Sequence, residues 1–276
     1  MTDLVVRRLL IDLAAPFERR WNGGDAFRSA FFNALSMSFP QGEQYFMDSV
    51  RAGLKTLPEG QRQSLAVEVQ GFVGQEATHR RIHALFNEQL TRQGLDNWIE
   101  RRALRRLQAH AHRDVRIHVA ATAATEHFTA LFADWLLRHP EVLAGAEPRL
   151  QTLWQWHSAE ETEHRSTAFD MYRALGGNEK YRLRVFKAVT VIFLGDVLRQ
   201  TLRNLRHDGS LMRLASWKSG YQLLFGREGL LRSNVQGWRD YLSPDFHPNQ
   251  HDGRLSEQWL QDHAEVFTVV GKPAAA

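Results

Sequence analysis

The sequence predicts an all-α protein built on a four-helix bundle, and three features lead to this prediction. Apolar residues recur at helical spacing over most of the 276 residues, and no stretch alternates in the manner of a strand. Two Glu-x-x-His motifs, Glu76 to His79 and Glu161 to His164, lie on separate predicted helices. A single glutamate precedes each motif, Glu43 and Glu126. This order of Glu, ExxH, Glu, ExxH is the one in which four-helix bundles hold two metal ions.

The stretch 154–164 gives the strongest local signal. At about 100° per residue, one helical arc of about 100° holds four potential metal ligands: His157, Glu160, Glu161 and His164. The flanking residues are apolar or aromatic, which predicts a buried helix. Buried carboxylates and imidazoles are costly unless a cation lies between them, so the arc predicts a metal site. A solvated acidic helix face is the alternative interpretation.

Composition limits the kinds of site and partner. The length predicts a single domain, residues 1–276, with a bundle core at about 41–175 and a C-terminal helical extension at about 178–260. The absence of cysteine excludes disulfides, thiolate zinc sites and iron–sulfur clusters. The net charge of +4 includes the arginines at 101, 102, 105 and 106, which predict a solvated helix face and no nucleic-acid partner, because no aromatic residues interleave with them. Neither a signal peptide nor a transmembrane segment is recognisable, and we expect a cytoplasmic protein.

The first predicted helices bring Glu43 into the bundle. Apolar spacing predicts a helix over 5–21, ending at the turn 22–24. Asp25 is expected to cap a short helix that stops at Pro40. The next predicted helix, at about 41–55, carries Glu43 in its first turn. There a carboxylate also suits the helix dipole, so a simple N-terminal charge is the alternative to a metal ligand.

The second and third bundle helices carry further candidates. A long helix at about 61–92 contains Glu76 and His79, and His83 lies one turn further on, either as an extra ligand or as a base hydrogen-bonded to one. Residues 94–113 are expected to form a crossover. The helix 115–138 contains Glu126 among small residues, with a buried ion pair as the alternative role. His127 points about 100° away from Glu126 and is expected to be structural.

The remaining chain is predicted to be helical with one irregular segment. The fourth bundle helix should run from the region of Pro148 to about Leu175, followed by a helix at 181–205. The apolar run 189–194 indicates a core or dimer contact rather than a membrane contact. Short helices follow, and the proline-containing stretch 243–252 is expected to be a structural lid or packing segment. Residues 271–276 are expected to be disordered.

These motifs resemble those of a bacterial family catalogued as predicted metal-dependent hydrolases, a ferritin-like group. The resemblance covers about residues 7–252 and rests on five segments: 39–43, 75–79, 126–127, 156–164 and 243–248. The chain is also similar to the di-iron N-oxygenases of aryl amines, in which the last bundle helix carries the pattern H-x-x-x-E-x-x-H. His157, Glu161 and His164 match that pattern, so the similarity implies one histidine beyond the usual six ligands. The spacing between bundle helices differs, and no substrate-pocket residue can be transferred.

The predicted site holds two first-row metal ions, with iron favoured and manganese or zinc as alternatives. Its expected ligands are Glu43, Glu76, His79, Glu126, His157, Glu161 and His164. Such a site could use dioxygen to oxidise a small-molecule substrate, with an electron donor as a further partner. It could instead hydrolyse an ester or amide with a metal-bridged water, and metal storage is a third interpretation. A homodimer is left open.

Overall fold

The computed structural model describes residues 4–270, and this part of the chain is mostly helical, as predicted. The predicted disorder of 271–276 lies outside the described residues. The α-helices are α1 (Ala26–Thr56), α2 (Glu59–Arg92), α3 (Trp98–His110), α4 (Val115–Arg138), α5 (Pro148–His164), α6 (Thr167–Ala174), α7 (Glu179–His207), α8 (Leu214–Phe225), α9 (Leu230–Ser233), α10 (Val235–Asp240) and α11 (Arg254–Asp262). Short 3₁₀ turns cover Pro140–Leu143, Pro248–Gln250 and Ala264–Val266. Strands β1 (Arg7–Leu9) and β2 (Phe267–Val269) pair antiparallel, with Arg8 opposite Thr268.

The predicted helix over 5–21 is wrong. This segment contains no helix, and apart from β1 it is irregular, with a bend at 14–15 and a turn at 19–21. It lies on a glycine-lined face of α2, where a Cβ atom on Gly71 would come within 2.6 Å of Leu4, and one on Gly74 within 2.4 Å of Val6. Gln75 donates a hydrogen bond to the Val5 carbonyl at 3.1 Å. Because Gly71 and Gly74 have no side chains, α2 leaves space for the start of this segment. Gln75 of α2 bonds one of the segment's backbone carbonyls.

The predicted helix break at Pro40 is also wrong, because α1 continues through it to Thr56. Asp25 caps the helix as expected, accepting a hydrogen bond from the Arg28 N–H at 2.9 Å. Proline cannot donate to the carbonyl four residues earlier, which here belongs to Ser36. Asn87 of α2 donates to that carbonyl at 2.9 Å and so replaces the missing bond. Glu43 therefore lies in the middle of a long helix, and its interpretation as an N-terminal charge fails.

Helices α2, α4 and α7 closely match their predicted ranges, but the sequence prediction missed α3 and a break in the fourth bundle helix. Asn97 caps α3, accepting from the Glu100 N–H at 3.2 Å. The arginine cluster lies on α3, and Arg102 and Arg106 pair with Asp196 of α7. The break falls between α5 and α6. The Ser166 carbonyl accepts from the Asp170 N–H at 2.8 Å and starts the new helix.

Two apolar clusters enclose a polar layer. The first cluster includes Phe32, Phe86 and Trp154, and the second includes Phe72 and Phe169. Helices α1, α2 and α4 each contribute apolar residues to both clusters, and α5 passes from the first toward α6 in the second. On α1, α2 and α4 the predicted ligands occupy the stretch between the two clusters, and on α5 they follow Trp156 of the first cluster. The bundle therefore holds its polar side chains at one level of an otherwise apolar interior.

The C-terminal part packs over this bundle. The irregular segment 243–252 contacts α4, where the His127 ring lies 5.1 Å from the Phe246 ring. His127 also bonds the Gly237 carbonyl through Nε2 at 2.9 Å, in keeping with its expected structural role. The apolar run 189–194 is not fully buried, since Val191 is 74% exposed. Among residues 4–270 no helix combines the length and apolar character needed to cross a membrane.

Candidate metal centre

The structure places six of the seven predicted ligands in two adjacent groups, and the seventh, Glu126, belongs to neither group. In the first, four side chains can each place one ligand atom within 4.8 Å of the others: Glu76, His79, Glu161 and His164. In the second, three do so: Glu43, His83 and His157. All of these residues are buried. Each group has the composition of a mixed carboxylate and imidazole metal site.

Many of the candidate ligand atoms lack a hydrogen-bond partner. In the described part of the chain, buried atoms with no hydrogen-bond partner include both carboxylate oxygens of Glu43 and of Glu76, Oε1 of Glu126, Oε2 of Glu161, Nδ1 of His79 and Nε2 of His164. Burial and the neighbouring carboxylates raise the pKa of Glu43 and of Glu76 well above the ordinary range. Unpaired buried carboxylates are costly, and bound cations would satisfy them. The side chains present therefore fit a metal centre.

His79 is held by a carboxylate and an arginine behind it. Its Nε2 lies 2.9 Å from Glu160 Oε2, and Arg7 donates to Glu160 Oε1 at 3.1 Å. This leaves His79 Nδ1 directed at Glu161 Oε1, 3.5 Å away. Burial alone would lower the pKa of His79, but Glu160 and Glu161 outweigh burial and raise it to about 10. A cation at Nδ1 would replace the proton that these carboxylates stabilise.

His164 has a similar arrangement with Glu126. Its Nδ1 lies 2.9 Å from Glu126 Oε2, and its Nε2 faces Glu76 Oε1 at 3.7 Å and Glu161 Oε1 at 3.8 Å. Hydrogen bonding through Nδ1 fixes the tautomer and leaves the Nε2 lone pair for a metal. Glu126 Oε1 remains without a hydrogen-bond partner among residues 4–270. Glu126 can thus orient His164 and also offer an oxygen ligand.

A chain of hydrogen bonds fixes the tautomer of His157. Ser36 Oγ donates to Asn87 Oδ1 at 2.9 Å, so it accepts from His83 Nδ1, also at 2.9 Å. His83 Nε2 then accepts from His157 Nδ1 at 2.8 Å. His157 Nε2 consequently carries a lone pair, 2.7 Å from Glu161 Oε1.

This lone pair favours a cation between His157 Nε2 and Glu161 Oε1. Burial and the nearby His79 lower the pKa of His157 to about 4, so its ring is neutral near pH 7. A neutral imidazole nitrogen and a carboxylate oxygen repel each other at this distance unless a cation binds both. Glu43 Oε1 lies 4.0 Å from the same nitrogen. In this arrangement His83 Nε2 accepts from His157, which matches the second of the two roles considered for His83, while His83 is also one of the three residues of the second group.

Comparison with known families agrees with this site. A family model described as a predicted metal-dependent hydrolase matches residues 5–252. The chain belongs to this family. The matched range contains every residue of the two groups and extends to the segment 243–252. Comparisons with curated proteins and with solved structures find no match.

Apart from His83, the residues that bond the candidate ligands were not predicted from the sequence. Glu160 lay on the predicted ligand arc and was left out of the expected ligand set, but its role beside His79 was not predicted. Arg7 lies in the segment wrongly predicted to be helical, so nothing in the sequence connected it with Glu160. Ser36 and Asn87 gave no signal, because their roles arise only where α1 and α2 pack together.

Proposed function

We propose that this chain is an enzyme with a dinuclear metal centre in a ferritin-like bundle. Its ligands would be the seven residues expected from the sequence, Glu43, Glu76, His79, Glu126, His157, Glu161 and His164. The observation that carries the proposal is the set of buried, unpartnered carboxylate and imidazole atoms that face one another between two apolar clusters. Four ionised glutamates would balance the charge of two divalent cations.

The reaction we propose is oxidation of an organic substrate by dioxygen, with iron as the metal. Two bound irons would supply redox equivalents and a place for dioxygen. In the overall reaction, substrate C–H, dioxygen, two electrons and two protons give C–OH and water, and an external reductant supplies the electrons. Four carboxylates weaken the Lewis acidity of divalent ions and favour higher oxidation states, which supports redox chemistry over hydrolysis.

Oxygen uptake by the reduced protein tests this proposal. Protein from iron-supplemented cells would be reduced anaerobically, freed of reductant and mixed with oxygenated buffer in an oxygen electrode. We expect uptake in proportion to bound iron, and loss of uptake in Glu161→Ala. Glu163→Gln is the matched control on the same helix, because its side chain bonds Arg7 and Gln75 and lies outside both groups. Equal uptake by wild type and Glu161→Ala would contradict the proposal.

Hydrolysis is the second candidate, and the description of the family favours it. Two metal ions can lower the pKa of a bridging water and generate a nucleophile near neutral pH. This activity would need no oxygen and would work with zinc or manganese. An anaerobic screen of esters and amides with zinc-loaded protein separates the two reactions. Turnover there, combined with no oxygen uptake by the iron-loaded protein, would replace the oxidation proposal with hydrolysis.

A further inference from the structure

An apolar cavity of about 670 Å³ lies beside the candidate metal centre, between α1, α4, α7 and the short helices α8–α10. This volume falls in the range of about 300–1,000 Å³ that is typical of small-molecule sites. None of the lining side chains is charged. The few polar lining residues include Thr129, Thr190 and Thr201, whose hydroxyls donate to helix carbonyls. A ligand portion inside this cavity must therefore be apolar.

The cavity is elongated, because its lining follows single stripes of two helices. On α1 the lining residues recur every four positions from Phe27 to Phe39, a distance of about 18 Å at 1.5 Å per residue. On α7 they run from Thr190 to Thr201, which is about 16 Å. This shape matches an extended chain better than a compact ring system.

One end of the cavity reaches the candidate metal centre at Phe39. The Phe39 ring lies 5.0 Å from the His157 ring and 4.6 Å from the His83 ring. Thr129, also in the lining, bonds the Glu126 carbonyl at 3.0 Å. A ligand in the cavity would thus have one end separated from the metal ligands by little more than one aromatic ring.

The cavity also opens to the surface. Six of its lining residues are exposed: Leu194, Leu198, Trp217, Tyr221, Phe225 and Val235. They form an apolar rim through which a chain could enter from outside. Val191 lies on α7, the helix of Leu194 and Leu198, and is more exposed than either, but it does not line the cavity.

We propose that this cavity binds the extended alkyl chain of the substrate, with one end of the chain against Phe39 beside the metal centre. The cavity binds an alkyl chain whether or not metal is present, and only the chain's role as substrate rests on the proposed function. A free fatty acid and a membrane lipid would both supply such a chain. The substrate class is therefore one with a long, unbranched apolar portion.

Displacement of a fluorescent fatty acid tests this proposal. The purified protein would be titrated with cis-parinaric acid, which would then be displaced by palmitate, octanoate or naphthoate. We expect saturable binding of about one probe per chain, and displacement by palmitate at a concentration about tenfold lower than for octanoate or naphthoate. Equal potency of naphthoate and palmitate would overturn the extended-chain proposal, as would the absence of saturable binding.

Two tryptophan substitutions on α7 localise the site. Leu194→Trp places a large ring at the rim and should weaken probe binding about tenfold or more. Val191→Trp adds the same ring outside the cavity and should leave binding unchanged. Equal effects of the two variants would overturn the proposal. It would also be overturned if sedimentation found a dimer that binds probe only after dissociation, since the rim would then be an interface between copies of the chain.

Two further measurements identify the source of the alkyl chain and test the cavity proposal independently of the proposed oxidation. Sedimentation with phosphatidylcholine vesicles would indicate a bilayer lipid, and its absence together with palmitate binding would indicate a free fatty acid; both results support the site. Probe binding would be measured with metal-loaded and chelator-treated protein. Probe binding without oxygen uptake would support the cavity proposal and contradict the proposed oxidation. Oxygen uptake without probe binding would support the oxidation and contradict the cavity proposal.

Discussion

Side chains that bond the candidate ligands determine which ligand atoms face the candidate metal centre. Glu160 accepts from Arg7 and lies 2.9 Å from His79 Nε2, so His79 can offer only Nδ1 to the site. Sequence periodicity placed Glu160 on the ligand arc, because it shares a helical face with His157 and His164. Periodicity could not separate a ligand from the residue that orients one, since that difference depends on the partner Arg7, more than 150 positions away in the chain.

Glu160→Gln should weaken metal binding by about 10–100-fold while the fold is retained. The amide keeps the shape of the side chain but loses the charge that stabilises a donor on His79 Nε2. Chelator competition monitored by metal release would measure the change. Glu163→Gln, which alters the other carboxylate bound to Arg7, should change affinity much less. Equal losses in the two variants would mean that Arg7 contacts, rather than the orientation of His79, control affinity.

His157→Ala should weaken the binding of one of the two ions more than His83→Ala does. His157 directs a lone pair into the site, whereas His83 acts through its hydrogen bond to His157. The comparison needs chelator titrations that resolve two binding steps, with circular dichroism to confirm that both variants remain folded. A larger loss in His83→Ala would show that His83 is the ligand and that the tautomer assignment is reversed.

At the scale of helices, α1 illustrates why a local rule fails. Pro40 normally indicates a helix end, and the sequence contains no local compensation for it. The compensation comes from α2, where Asn87 donates to the Ser36 carbonyl. The same asparagine accepts from Ser36 Oγ, which in turn bonds His83. The boundaries of α4 depend on its own residues and were predicted correctly, whereas the path of α1 depends on a partner helix.

A double-mutant cycle on Pro40 and Asn87 tests this compensation. Asn87→Ala should reduce the free energy of unfolding by about 1–3 kcal/mol, because it leaves the buried Ser36 carbonyl without a donor. In the Pro40→Ala background residue 40 regains an N–H for that carbonyl, so the same substitution should cost about 1 kcal/mol less. Urea denaturation of the four proteins gives the coupling. Additivity within about 0.3 kcal/mol would mean that the two sites are independent.

For the whole molecule, the central feature is a layer of buried polar residues between two apolar clusters. The order Glu, ExxH, Glu, ExxH predicted which helices contribute to this layer, because each part of the order lies on a different helix. In the bundle these four parts come to one level. The extended N-terminal segment and the apolar cavity were not anticipated, since both depend on how surfaces from distant parts of the chain meet. Such a layer should make stability depend on metal.

Chelator-treated protein should lose stability as the pH rises from about 6.5 to about 10. The pKa of His79 is about 10 in the folded state, so its stabilising contribution is complete below the unfolded value of about 6.5 and declines above it. The raised pKa values of Glu43, Glu76 and His164 act in the same direction. The lowered pKa of His157, about 4, changes the stability of the folded state only below about pH 6.5.

Thermal unfolding at several pH values, with and without metal, would check this dependence. Metal-loaded protein should show a smaller decline, because cations replace the protons and bind more tightly as the ligands deprotonate. A melting temperature that rises over this range in chelator-treated protein would contradict the assigned pKa directions.

The metal content of purified protein tests the central claim most directly. Wild-type protein from iron-supplemented cells, analysed by inductively coupled plasma mass spectrometry, should contain about two metal ions per chain. Glu76→Ala and Glu161→Ala should each lose most of both ions, because each removes a carboxylate from the centre of the buried cluster, and Glu163→Gln should retain them. Equal metal content in wild type and in both alanine variants would contradict the dinuclear centre.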